Sequence, residues 1–155
     1  MRQHGDEESQ LMGVEQLKER IICAQNEEQL RVFNLDDFIP ALLDILNIDY
    51  NGDLLFSTIV CLNNMMSNMP QSLSFIVKYD GVKKICNKLQ NIEYVDVAEA
   101  AITSLNRLSS ENPELVLECG GIVKKKNSFF IFLKEFSLTT KTHFNLFLIA
   151  FFILC

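Results

Sequence analysis

Tryptophan is absent from this chain of 155 residues, proline occurs three times, glycine six times and histidine twice. So few helix breakers exclude collagen-like and Pro/Gly-rich low-complexity architectures and leave room for helices almost throughout. His4 and His143 stand far from any partner pattern that would build an acid–base pair or a nucleophile relay. The five cysteines, Cys23, Cys61, Cys86, Cys119 and Cys155, are odd in number and form no CxxC pair, which excludes a disulfide framework or a cysteine zinc site. Three of them fall among apolar neighbours, the setting of reduced core thiols in the cytosol or nucleus. No glycine-rich phosphate cradle is present either. Catalytic residues, metals, cofactors and small-molecule ligands are therefore not expected.

Positive charge is short as well. The chain carries 14 Lys and Arg against 20 Asp and Glu, and 19 of those acids but only 9 of the bases lie at or before Ile122. A nucleic-acid-binding domain needs the opposite sign on its folded part, so no nucleic-acid partner is expected. The opening MRQHGDEESQ is polar and acidic and lacks the apolar core of a secretory signal, so a cytoplasmic or nuclear location is expected.

What the chain does contain is one pattern written twice. The stretch from Ile39 lines up without a gap on the stretch from Val82, so that Leu42 meets Ile85, Leu46 meets Leu89, Asp53 meets Asp96, Ile59 meets Ile102, Leu62 meets Leu105 and Pro70 meets Pro113. The offset, about 43 residues, is the period of a helical solenoid, whose units cover one another's apolar faces. Ahead of the first copy, residues from about Ser9 to Ala24 place Leu11, Val14, Leu17, Ile21 and Ile22 on one helical stripe with no partner of its own inside the first repeat. Leu30 and Phe33 follow. Asp36 or Asp37 can then cap a helix with Pro40 in its first turn and its end near Leu46.

In the second copy, Asp96 with Glu99 three residues on reads as an aspartate version of the capping box. The helix it opens buries Val97, Ala98, Ala101, Ile102, Leu105 and Leu108, and its counterpart runs through Asp53, Leu54, Leu55, Ile59, Leu62 and Met65. Asn112-Pro113 starts the next helix, and Gly120 or Gly121, free of a Cβ, closes it in the left-handed conformation; Met69-Pro70 and Asp80-Gly81 are the matching signals one repeat earlier. The organisation expected is a polar leader (1–8), a partial repeat (9–37), two repeats (38–81 and 82–122) and a tail (123–155).

A short helix, a longer one, a proline turn and a third helix closed by glycine resemble the armadillo unit. The predicted fold is thus all-α, an armadillo-type right-handed α-solenoid of about two repeats plus a leading partial one. More narrowly, Gly13 to Ile122, and above all IEYVDVAEAAITSLNRLS, is similar to the armadillo region of HECT-type E3 ubiquitin ligases, in the branch of the thyroid-hormone-receptor-interacting and ubiquitin-fusion-degradation ligases. The resemblance implies protein partners or ubiquitination substrates. It implies too that transfer through a cysteine thioester belongs to a separate catalytic domain, so the present residues are expected to be catalytically silent. In import receptors of the armadillo superfamily, a tryptophan and, four residues on, an asparagine line the peptide groove. The matching pairs here are Val60 with Asn64 and Thr103 with Arg107, which points away from nuclear-localisation peptides while marking these four as the protein-binding candidates. Met65, Met66 and Met69 read either as an adaptable surface or as core fillers.

From Val123 the sequence changes character, with eight of the twelve phenylalanines in the last 27 residues. Only its last 12 residues, from Phe144, are nearly free of polar groups, or about 18 Å as a helix at about 1.5 Å per residue, short of a bilayer core. No membrane partner is expected. The Lys, Asn, Phe, Ile and Leu bias of the tail, beginning with Val-Lys, fits translated intron. An armadillo adaptor unrelated to ubiquitin and a membrane-associated helical protein are the competing functional classes. On the predicted faces, Leu105→Asp should unfold the second repeat, since burial of a leucine is worth roughly 1.5–3 kcal/mol, while Arg107→Ala should leave the thermal midpoint in place; equal effects would show the faces to be misassigned.

Overall fold

The computed structural model describes residues 4–24, 27–30, 32–49, 51–89 and 94–116. Among them, helix is the only regular secondary structure: α1 (His4–Cys23), α2 (Glu27–Leu30), α3 (Leu35–Ile45), α4 (Gly52–Asn68), α5 (Ser72–Lys78), α6 (Gly81–Lys88) and α7 (Val95–Glu111). Residues 113–116 are helical as well. The described residues form an all-helical solenoid. α4 and α7 begin 43 residues apart and end 43 residues apart. No helix among the described residues is long and apolar enough to cross a membrane. The expected stop at Gly120 or Gly121, Cys119, Cys155, His143 and the whole tail lie outside the described residues.

Two layers make up the stack. The long helices α1, α4 and α7 lie side by side, with α4 in the middle, and the shorter α3, α5 and α6 form the second layer. The long helices run parallel, because Glu7 meets Asn51 near their starts and Glu15 meets Ser57 further along. Apolar side chains spaced at helical period fill the space between layers: Ile39, Leu43, Leu54, Leu55, Ile59, Leu62, Met65, Ile76 and Ile85 are all fully buried. Each of the sequence pairs Leu42/Ile85, Leu46/Leu89, Ile59/Ile102 and Leu62/Leu105 is buried in both members. Met65, Met66 and Met69 belong to this core and form no surface.

Polar ties at the repeat distance join the second layer. Lys78 bonds Asp36 at 2.6 Å, Tyr79 donates to the same carboxylate at 2.7 Å, and Lys84 reaches Asp44 at 2.9 Å. Lys88 is buried and donates to the Ile48 carbonyl and the Asp49 carboxylate, both at 2.7 Å, so its amine is compensated. The first two of these ion pairs sit in solvent and are individually weak. They fix register more than they stabilise.

Several local expectations are corrected. α1 begins at His4, where Asn51 holds the Glu7 carboxylate of its first turns, and it is covered by α4, so it does have a partner in the first repeat. Val14 and Ile21, two turns apart, face that partner; Ile22, a further 100° round the helix, is 59 % exposed. α3 is capped by Asn34, whose side-chain oxygen accepts from the Asp36 amide, and not by Asp36 or Asp37, since Asn34 is where the backbone is still extended. Pro40 consequently lies inside α3, beyond its first turn. α7 starts at Val95 after Tyr94, which makes no side-chain cap bond, and Asp96 sits within the first turn where it complements the helix dipole. In α4, Asn51 takes the cap role by accepting from the Leu54 amide at 3.0 Å. α5 starts at Ser72, because Met69 is still occupied as the C-cap of α4.

The turn before α6 is the last correction. Asp80, not Gly81, adopts the left-handed conformation, at φ 57°. Gly81 is needed for space: a Cβ there would stand 2.5 Å from Cγ2 of Ile76, 2.8 Å from its carbonyl oxygen and 3.1 Å from Cδ1 of Leu43. At Gly13, in mid-α1, a Cβ would meet nothing within 4 Å. Gly81→Ala should therefore lower stability by about 1–3 kcal/mol, whereas Gly13→Ala should raise it by about 0.5–1 kcal/mol. Urea midpoints read the two signs, and midpoints moving together would contradict this account.

Candidate protein-binding surface

α4 is covered by α1 on one flank, α7 on the other and the short helices beneath. What remains of its circumference is one stripe: Asp53, Phe56, Val60, Asn64 and Ser67, spaced at three and four residues and therefore on one side of the helix. Phe56 is 40 % exposed, while Val60 and Asn64 are half-buried. Moving 43 residues on gives Asp96, Glu99, Thr103, Arg107 and Ser110 of α7, all exposed. On α1 the exposed positions Met12, Gln16, Arg20 and Cys23 continue the surface, in the 44-residue spacing of the Glu7–Asn51 bond. The four residues singled out by sequence, Val60, Asn64, Thr103 and Arg107, thus lie on adjacent parallel helices and share one face. Thr103 also donates to the Glu99 carbonyl one turn back at 3.2 Å, and Asn64 accepts at its own carbonyl from Asn68 at 3.0 Å.

Beneath that face lie polar groups that the sequence did not single out. Asn63, buried next to Asn64, donates to the Ala100 carbonyl at 3.0 Å, and Ser104 donates to the Asn63 side-chain oxygen at 2.8 Å. This bridge sets α4 against α7, and breaking it leaves a buried donor or acceptor unpaired at about 1–3 kcal/mol. On the other flank Ser57 donates to the Glu15 carboxylate at 2.5 Å, and Lys18 stands at 2.5 Å from its other oxygen. Those two bonds, Lys18 first, hold the Glu15 carboxyl below the ordinary glutamate range. Burial pushes the Cys61 thiol up to about 12, so it is a packing group and not a nucleophile.

A family model described as E3 ubiquitin-protein ligase TRIP12-like, TPR repeats, matches residues 1–118. The chain belongs to that family. Its similarity to UPL3 of Arabidopsis thaliana is 30% identity over 123 residues, which is 79% of this chain and 6% of that ligase. TRIP12 of Danio rerio is 33% identical over 118 residues, covering 76% of this chain and 6% of the relative, and UPL4 of Arabidopsis thaliana is 28% identical over 118 residues, covering 76% and 8%. All three relatives are named as E3 ubiquitin-protein ligases, and the chain spans less than a tenth of each. No solved structure matches. Within the family, then, the face of α1, α4 and α7 belongs to a helical repeat region associated with ubiquitin ligases.

The Glu15 geometry has a pH consequence. A carboxyl whose folded pKa is depressed contributes stability above its unfolded value and loses it as pH falls through the folded one. Ser57→Ala should return the Glu15 carboxyl part of the way toward the ordinary glutamate range in a side-chain NMR titration, and an unmoved midpoint would show that the α1–α4 bond does not form.

Proposed function

We propose that this chain is an armadillo-type protein-recognition segment of a HECT-type ubiquitin ligase, acting in the cytosol or nucleus and presenting the α1–α4–α7 face to substrates or protein partners. Support for the armadillo form comes from the recurrence itself: units of three helices at 43 residues fall in the armadillo and HEAT range of roughly 40–47, against roughly 34 for a two-helix TPR unit. Buried Cys61 and Cys86 suit a reducing compartment. The observation that carries the reading is the stripe on α4. Every other side of that helix is packed, yet Phe56 stays at the surface beside half-buried Val60 and Asn64 and exposed Thr103 and Arg107. An aromatic ring left at the surface inside a polar surround is how docking surfaces are built.

Competition tests this. In a reconstituted reaction driven by a full-length TRIP12-like ligase, an excess of this chain should slow modification of the substrate while leaving ubiquitin thioester formation on the ligase unchanged. The Phe56→Asp chain should lose that effect. Substrate modification untouched by the chain, or slowed equally by the Phe56→Asp variant, would defeat the proposal.

A further inference from the structure

Charge on the exposed face changes along the helices: acids stand at the N-terminal end of α4 and α7, and bases toward the C-terminal end of α1 and α7. At the N-terminal end Asp53 of α4 stands level with Asp96 of α7, 43 residues on. One turn further, exposed Met12 of α1 is level with exposed Phe56 of α4 in the register of the Glu7–Asn51 bond, and exposed Glu99 of α7 stands in the same row. Two turns beyond that, Arg20 of α1 and Arg107 of α7 flank Asn64. Among the described residues none of Asp53, Asp96, Arg20 and Arg107 takes part in an ion pair. Helix dipoles account for the two aspartates in first turns and for Arg20 in a last turn, but Arg107 lies before the last turn of α7. Neither Met12, 58 % exposed, nor Phe56 serves the core.

We propose that this face takes an extended peptide segment running along the helix axes, with a cationic side chain between Asp53 and Asp96, a large apolar side chain on Met12 and Phe56, and a carboxylate between Arg20 and Arg107. The proposal rests on the protein-recognition reading above and adds the polarity of the ligand. Charge complementarity selects the occupant: a uniformly basic segment would put a cation on the two guanidinium groups, and a uniformly acidic one would put a carboxylate on the two aspartates. Length follows from geometry. Asp96 and Arg107 are eleven residues apart on α7, or about 16 Å at about 1.5 Å per residue, a span that about five extended residues cover at roughly 3.3 Å each. A segment crossing the three helices at the level of Phe56 would instead meet Met12, Phe56 and Glu99 and neither arginine.

A random-peptide display library selected on the immobilised chain tests both levels. Enriched peptides should carry Lys or Arg at one end, an aromatic or long aliphatic residue in the middle and Asp or Glu about five residues from the base, and Phe56→Asp should abolish the enrichment. With Asp53→Lys and Asp96→Lys combined, the basic preference should give way to an acidic one, circular dichroism showing that the variant is folded; Arg20→Glu with Arg107→Glu should do the reverse at the other end. Peptides that depend on Phe56 but show no charge order, or whose order ignores both pairs of substitutions, overturn this inference and leave the docking face standing. Enrichment that is absent, or indifferent to Phe56→Asp, overturns both.

Discussion

A helix that is apolar around most of its circumference cannot stand alone at a surface, and α4 is such a helix. Leu54, Leu55, Ile59, Cys61, Leu62, Met65 and Met66 point to several sides of it, and all are buried. Coverage has to come from helices about one repeat away in sequence, α1 before and α7 after, because nothing nearer is long enough. The rest of the architecture depends on that requirement: parallel long helices, a second layer of short ones returning the chain, and a spacing near 43 residues.

Apolar coverage alone would allow neighbouring helices to slide or rotate. The polar ties remove that freedom. Asn63 has its amide committed to the Ala100 carbonyl and its oxygen to Ser104, while Ser57 is committed to Glu15 on the opposite flank. A shift of one turn would strand buried donors on both sides of α4, so position is set by hydrogen bonds and cohesion by apolar contact. The exposed face inherits its order from this: residues that never touch one another are brought level because the buried ones beneath them are locked.

The repeat, the long helices and nearly all of the core were legible because apolar period and repeat offset are properties of many residues at once. Helix starts were not. Asn34, Asp36 and Asp37 are all good caps, and the choice among them falls where the backbone turns extended, which no local pattern states. Asp80-Gly81 reads as a left-handed glycine, yet the glycine's role is to admit Ile76. The adjacent asparagines are the sharpest case. A single 100° step places Asn63 in the α4–α7 bridge and Asn64 on the open face, and residue type cannot tell them apart. Sequence comparison with groove residues found Asn64; Phe56 and Met12, which belong to none of the apolar stripes in the sequence, emerged only once the flanks of α4 were known.

Lys88 ends its helix with its amine shielded from solvent and shared between the Ile48 carbonyl and Asp49, while Lys83 on the same helix is open to solvent. Acylation needs a free amine with room for an approaching thioester. Lys88 is neither free nor reachable until the loop after α3 lets go of α6. The same clamp that keeps two units in register therefore makes one lysine of α6 chemically silent while Lys83 stays open.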